Sequence, residues 1–425
     1  MDVLARIMNG VFDVRREERV SLGWSFAMFF AVLASYFTVR PVREMMGASL
    51  AKGALAELFT VVFLVMLALV PLFGFIATRA PRRWVLPTIY AFFIANLVLF
   101  SLAMRGPQTP GAVAPLLAAT FFVWVSVYNL FVVSLFWSLM TAHWTSDAGK
   151  RLFGIVSAGG TLGALAGPVI AGQLVSVIGA ANLPLVSAAF LGLALWASFQ
   201  IGGRQVSARE DAEKPPATLA LMLEGATRIV RSAYLGRIAL VILLANLVST
   251  FFYLEQSRLV KETIPGSVAQ VEFFASRDLI VSVVTALIQL LGTAALLKRF
   301  GLTAALAVLP VVCIGGLLLI GADPTLTIVS GVMAFERITA FALAGPAMRV
   351  LYTVVDPDEK YKAQNFIDTV VYRGGDALSG WMFSAFGKLG ASPALTIALT
   401  LPFAAMWLWS SLGLGNMQAE RASRG

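Results

Sequence analysis

Histidine and cysteine are almost absent from the sequence. His143 and Cys313 are the only residues of their types among 425. A metal site built from several histidines or cysteines is therefore excluded, as is a disulfide within the chain. Charged residues are also scarce, at 13%, whereas 59% of the residues are hydrophobic. This balance is far too apolar for a soluble protein of this length.

The sequence is instead rich in apolar runs of about 20 residues, the length that spans a bilayer as an α-helix. The first run is too long for a secretory signal, and no small-residue cleavage site flanks it. We therefore predict an all-α membrane protein. The predicted transmembrane helices number twelve and cover residues 21–40, 54–78, 84–104, 112–143, 152–178, 183–202, 234–257, 274–298, 302–321, 324–350, 362–387 and 391–414.

A polar segment separates the predicted spans into two sets of six. It holds charged residues, Pro215 and Pro216, and no apolar run long enough to span. The first segment of the chain is either an amphipathic helix on the inner leaflet or a frayed terminus. The predicted domains are an N-terminal amphipathic segment at 1–20, an N-terminal six-helix bundle at 21–202, a cytoplasmic linker at 203–233, a C-terminal six-helix bundle at 234–414 and a C-terminal tail at 415–425.

The basic residues predict the orientation in the membrane. Lys and Arg concentrate in alternate connecting segments, and cytoplasmic loops carry such an excess. We therefore expect both termini in the cytoplasm and the chain in a bacterial inner membrane. The net charge of +9 fits basic cytoplasmic loops. Nucleic-acid binding is not expected, because no soluble domain gathers the basic residues.

The sequence gives no sign of catalysis. The predicted outer loops are too short to form a catalytic domain. No phosphate-binding loop is present, and His143 has no serine or aspartate around it that would suggest a catalytic triad. We therefore expect neither an enzyme nor a cofactor. The expected partners are an anionic small molecule and the lipid bilayer, and the expected oligomeric state is a monomer.

The connection between spans two and three carries a family resemblance. Two six-span halves joined by a basic linker is a layout of two-repeat secondary transporters. The segment from Gly74 to Arg83 resembles the G-x-x-x-D-R-x-G-R-R loop motif of the major facilitator superfamily, with Thr78 for Asp and Pro81 for Gly. The resemblance implies two pseudo-symmetric six-helix bundles of major facilitator type, with Gly74, Arg79 and Arg83 as conformational residues.

Span five carries a second resemblance, to the antiporter motif G-x8-G-x3-G-P-x2-G-G of the same superfamily. Gly154, Gly163, Gly167, Pro168 and Gly172 fall at its spacing. Small residues allow the backbones of membrane helices to approach closely. We predict that Gly163 and Gly167 form such an approach and that Pro168 loosens the helix where the two halves rock.

Charged residues lie within or at the ends of several spans, where insertion costs about 2.5–3.5 kcal/mol each. Some could be structural pairs, of which Glu255 with Arg258 and Arg373 with Asp376 have suitable spacing. The excess of cations instead suggests an anionic substrate, because Arg binds phosphate and carboxylate groups bidentately. The candidate substrate-binding residues are Arg40, Arg43, Glu44, Glu255, Arg258, Lys261, Lys362, Asp368, Arg373 and Asp376. Other charged residues within the spans include Arg277, Asp278, Glu336 and Arg337.

Short segments in both halves resemble the ATP/ADP translocase family of plastids and intracellular bacteria. Residues 39–44 are similar to its first-span motif L-R-D-x-K-D. Residues 148–153 resemble its A-K-R-F-Y run, and residues 254–261 its L-x-E-x-x-W-K segment, without the Trp. Residues 360–380 resemble a fourth segment of that family, with Lys362, Asp368 and Arg373 at matching positions. Asp376 stands where the family has Lys, and this charge reversal weighs against ATP itself as the substrate.

The resemblance implies a secondary active transporter that moves an anionic, phosphorylated solute by alternating access, with nucleotide exchange of the ATP/ADP type as the leading expectation. In this scheme Arg43 and Lys362 would hold the anionic group. The alternative is a major facilitator carrier or scramblase for another anionic amphiphile, such as a phospholipid or a cell-wall fragment. Proton coupling through Glu255 or Asp376 is a variant of either.

Overall fold

A computed structural model of the chain describes residues 14–51, 53–79, 82–106, 115–202 and 219–423. The predicted amphipathic segment 1–20 and linker 203–233 fall partly outside these ranges. The helices of the described residues, in chain order, are α1 Arg19–Ser49, α2 Ala54–Arg79, α3 Arg82–Met104, α4 Pro115–His143, α5 Ser146–Ile178, α6 Leu183–Gly202, α7 Leu219–Arg231, α8 Ala233–Thr263, α9 Ser267–Leu291, α10 Thr293–Ala322, α11 Leu326–Thr339, α12 Gly345–Leu351, α13 Pro357–Phe366, α14 Tyr372–Lys388 and α15 Pro393–Ala422.

Most of these helices are long and apolar enough to cross a membrane. Within the described residues, 10 helices meet that standard, each at the position of a predicted span. The second predicted span corresponds to α2, whose apolar part with described side chains is the shorter Ala54–Leu69. The eleventh corresponds to α13 and α14 together. Helices thus occupy the places of all the predicted spans.

The tenth and eleventh predicted spans are each interrupted by a π-helical turn. Ala340–Ala344 separates α11 from α12, and Ile367–Val371 separates α13 from α14. A π-helical turn is wider than an α-helical one and often lies at a functional site. The apolar pattern alone predicted a single unbroken helix at each place, because the extra residue of a π turn leaves no compositional mark.

Several other boundaries differ from the predicted ones; for example, α9 and α10 begin at Ser267 and Thr293, ahead of the predicted residues 274 and 302. Helix α1 continues through Pro41 to Ser49, whereas the first span was predicted to end at residue 40. Arg40, Arg43 and Glu44 therefore project from a helix and not from a loop. Helix α15 continues to Ala422, into the segment predicted as a tail.

The chain forms two compact units. Unit 1 comprises the described residues of Met1–Met46, Arg79–Lys214 and Gly266–Leu279. Unit 2 comprises those of Gly47–Thr78, Pro215–Pro265 and Ile280–Gly425. The division into an N-terminal and a C-terminal six-helix bundle stays a prediction.

In unit 1, helix α5 packs directly on α1. A Cβ atom added to Gly163 would lie 2.9 Å from the backbone nitrogen of Ala34, and one added to Gly167 would lie 2.5 Å from the Cβ of Phe37. Neither distance leaves room for a side chain. The backbones of α5 and α1 thus approach closely at Gly163 and Gly167, whereas the conformational role of these glycines stays a prediction. Pro168 is buried beside them, and its loosening role stays a prediction.

In unit 2, the described part of the linker forms helix α7, which packs on α13. A Cβ atom on Gly225 would lie 2.9 Å from the Cβ of Phe366. Glu224 beside it pairs with Lys362 at 3.0 Å. The linker therefore contains a helix with a defined packing partner.

Candidate substrate-binding site

A buried cluster of arginines and carboxylates lies in unit 1, where α1 meets the first part of α9. Asp278 is 2% exposed. Its Oδ1 accepts hydrogen bonds from Arg277 Nη2 at 2.8 Å and Nε at 3.2 Å, and its Oδ2 lies 3.5 Å from Arg40 Nε. Arg277 and Asp278 are adjacent, yet both point into the interior. One carboxylate thus holds two guanidinium groups, one from each helix.

Arg43 and Glu44 form the second part of the cluster. Glu44 is 2% exposed, and its Oε1 accepts a hydrogen bond from Arg43 Nη1 at 2.9 Å. Arg43 also donates from Nη2 to Ser126 Oγ at 3.2 Å and from Nε to the Phe122 carbonyl at 3.3 Å. Its guanidinium carbon lies 3.8 Å from the centre of the Phe122 ring. Helix α4 therefore fixes the guanidinium in position.

These two parts define what the cluster can do chemically. Three guanidinium groups, of Arg40, Arg43 and Arg277, share the interior of unit 1 with two carboxylates. Arginine presents planar pairs of N–H donors that match phosphate and carboxylate oxygens. Each guanidinium already contacts a carboxylate of the protein. An anionic ligand would take the place of that carboxylate as the partner of the guanidinium. The geometry is suited to reversible binding of an anion.

Other predicted site residues lie in unit 2, at the end of α8. Glu255 pairs with Arg258 at 2.5 Å, which confirms that predicted pair, and Arg258 also reaches Glu262 at 2.6 Å. The exposed Lys261 donates to the backbone carbonyl of Leu50 at 2.6 Å and to that of Ser49 at 3.2 Å. A cation beside the last carbonyls of a helix stabilises its C-terminus, so Lys261 caps α1 in this structure.

The last predicted site residues surround the second π turn, also in unit 2. Arg373 and Asp376 pair at 3.6 Å, as their spacing predicts. Asp368 lies in the π turn itself. Lys362 pairs with Glu224 of α7. In unit 2, ion pairs join Glu255 with Arg258, Arg373 with Asp376, and Lys362 with Glu224. In unit 1, Arg40 and Arg277 meet at Asp278, and Arg43 pairs with Glu44.

Two residues of the cluster were not among the predicted site residues. Arg277 and Asp278 were recognised as charged residues of a span but not assigned to the site, because nothing in the sequence shows that α9 packs on α1. The sequence signal that could have identified them is an adjacent pair of opposite charges in an otherwise apolar run.

The side chains of Gly74, Arg79 and Arg83 lie outside the described part of the chain, so their predicted roles stay predictions.

Comparison with solved structures shows the fold. A bacterial homologue of the human lysosomal transporter Spinster, inward-facing and unoccupied, is 16% identical with a TM-score of 0.58, over 96% of each chain. The nucleoside transporter NupG is 15% identical with a TM-score of 0.64, over 95% of this chain and 99% of that one. An auto-inhibited POT family peptide transporter is 13% identical with a TM-score of 0.64, over 94% and 97%.

These similarities extend over nearly the whole chain in each case. Over the residues that the structure describes, the protein is an all-helical membrane protein with the major facilitator fold. No family model matches the sequence, and no curated protein matches it. The predicted relation to the ATP/ADP translocases therefore rests on the short sequence segments alone.

Proposed function

We propose that this protein is a secondary active transporter that carries an anionic solute across the membrane by alternating access. The fold supports this proposal, since the similar structures are described as transporters. The substrate class follows from the cluster in unit 1. Charged groups are expensive at membrane depth and there mark substrate or ion pathways by default.

The observation that carries the proposal is the fixed geometry of Arg43, which lies in the same unit as the buried contacts of Arg40 and Arg277 with Asp278. Arg43 is oriented by a ring, a hydroxyl and a carbonyl of α4, so a ligand meets a guanidinium already in place. Preorganisation of this kind lowers the entropy lost on binding. A phosphorylated solute of the nucleotide type, taken up in exchange for another, is the substrate we propose.

A counterflow screen in proteoliposomes tests the proposal. Labelled ATP, ADP, AMP and a sugar phosphate are supplied outside, with and without the same compound inside, and labelled adenosine serves as the uncharged control. We expect uptake of at least one phosphorylated compound, and we expect this uptake to require the same compound inside the proteoliposomes. We expect no uptake of adenosine. Uptake of adenosine alone, or of none of these, would remove the anionic assignment and leave the fold unaffected.

A further inference from the structure

Glu336 is a buried carboxyl group that the proposed substrate site does not use. It lies on α11 in unit 2, in the last turn before the π-helical segment Ala340–Ala344, and it is 6% exposed. Its Oε1 accepts a hydrogen bond from Ser249 Oγ of α8 at 2.7 Å. Among the described residues, no Lys or Arg nitrogen lies within ion-pair distance of Glu336, although every described carboxylate of the unit 1 cluster has one.

The charged and titratable groups around Glu336 come from three helices. Arg337 is its neighbour on α11, Cys313 faces it from α10, and Tyr372 from α14. Among these neighbouring groups, only Arg337 carries a positive charge at neutral pH. A buried carboxylate without a bonded cation is expensive. A carboxylic acid at the same place is neutral and can donate its own hydrogen bond to the Ser249 hydroxyl, so both protonation states have a partner.

The surroundings of Glu336 connect it to both π-helical turns of unit 2. Ser249 contacts Glu336 just before the first turn. Asn246, three residues earlier on the same face of α8, donates from Nδ2 to the carbonyl of Tyr372 at 2.7 Å, just after the second turn. A Cβ atom added to Gly375 would lie 3.0 Å from Asn246 Nδ2, so α8 and α14 are tightly apposed there. One polar face of α8 therefore contacts residues that flank both π-helical segments.

We propose that Glu336 is the proton-binding site that couples proton movement to transport. This inference rests on the proposed transport function. In the present conformation the group is the neutral acid. When the helix rearranges at Ala340–Ala344 and admits water, the O–H bond of the acid breaks, the proton passes to that water, and the remaining carboxylate accepts the Ser249 O–H. The reverse transfer, from water on the other side of the membrane, restores the acid and completes the cycle.

Infrared spectroscopy tests the proton site without any substrate. Difference spectra between acid and alkaline pH are recorded on reconstituted wild-type protein, Glu336→Gln and Glu57→Gln. Glutamine has nearly the size of glutamate and cannot titrate, and Glu57 is an exposed carboxyl of α2 that serves as the control. We expect the C=O band of a protonated carboxyl group at neutral pH in wild type and Glu57→Gln, and its loss in Glu336→Gln. An unchanged band in Glu336→Gln overturns the assignment.

Transport separates this inference from the proposed function. In liposomes with an imposed pH gradient, we expect wild-type protein to accumulate the phosphorylated probe that is active in counterflow. In Glu336→Gln the initial rate of this gradient-driven uptake should fall at least about tenfold, a barrier change of about 1.4 kcal/mol, while counterflow should be retained. Gradient-driven accumulation that survives in Glu336→Gln overturns proton coupling through this residue. Absence of uptake for every probe would remove the proposed function, while the infrared result would still decide whether Glu336 binds a proton.

Discussion

Asp278 illustrates how the candidate site is held together at the scale of single residues. Its carboxylate is almost inaccessible and contacts guanidinium groups from two helices. Desolvating such charges can exceed the attraction between them, so a buried ion pair is weak evidence that charge was selected for stability. Function is the better explanation for the cluster. Removal of one charged group from the cluster nevertheless leaves the remaining buried charges without an opposite charge beside them.

We therefore expect Asp278→Asn to lower the free energy of unfolding by about 3–5 kcal/mol. The buried Cys313 gives a direct measurement, because a thiol-reactive fluorophore labels it only when the protein unfolds. Glu262→Gln is the control, since that carboxylate is 53% exposed and an exposed ion pair contributes at most about 1 kcal/mol. Equal unfolding temperatures for the two variants would contradict the burial argument.

Glu18 offers a pH test outside the spans. Its carboxylate accepts hydrogen bonds from Arg151 Nη2 at 2.7 Å and from the Arg15 backbone N–H at 2.9 Å. Partial burial acts to raise the pKa of Glu18, but the Arg151 hydrogen bond, the Arg15 N–H and the charges of both arginines outweigh it, so the pKa is lowered. Because the folded protein has the lower pKa, this contribution to stability is present at neutral pH and is lost on acidification.

We expect the unfolding temperature of wild-type protein to fall more than that of Glu18→Gln as the pH is lowered from neutral through the ordinary Glu pKa of about 4.3 and below. The comparison is made by thiol labelling or intrinsic fluorescence in detergent. Parallel pH profiles for the two proteins would show that the ion pair contributes nothing to stability.

At the scale of helices, glycine and the π turn have different roles. The glycines of α5 remove side chains where α1 lies against them, so the two helices share backbone contact in unit 1. The π turns in unit 2 follow α11 and α13, and polar residues of α8 contact the residues that flank them. Tight packing positions Arg40 and Arg43, while the π turns supply irregular backbone beside Glu336.

A leucine at position 163 should therefore push α5 away from α1. Overpacking of a helix contact costs about 1–3 kcal/mol, so we expect a lower unfolding temperature for Gly163→Leu. Gly154→Leu is the matched control, because a Cβ atom at Gly154 would meet no atom within 4 Å. If both substitutions left the unfolding temperature unchanged, the close approach of α5 to α1 would not hold.

For the whole molecule, the sequence predicted the membrane class, the positions of the spans and the local pairs Glu255–Arg258 and Arg373–Asp376. These depend on hydropathy and on spacing along one helix, which are local properties. The partner of Arg40 could not be predicted in the same way. Asp278 lies far along the chain, and a single sequence holds no information on which helices pack together. The Glu224–Lys362 pair was missed for the same reason, and the π turns were missed because the extra residue of such a turn leaves no compositional mark.

The claim that Arg43 belongs to the anion site is tested most directly by the initial rate of counterflow of the active phosphorylated compound. This rate is compared between wild type, Arg43→Gln, Arg43→Lys and Lys388→Gln. A hydrogen bond to a charged group contributes about 1.5–3 kcal/mol. We therefore expect at least about a tenfold loss in Arg43→Gln, a smaller loss in Arg43→Lys, which keeps the charge, and none in Lys388→Gln, whose side chain is exposed. Undiminished counterflow in Arg43→Gln would contradict the assignment of the cluster as the anion site.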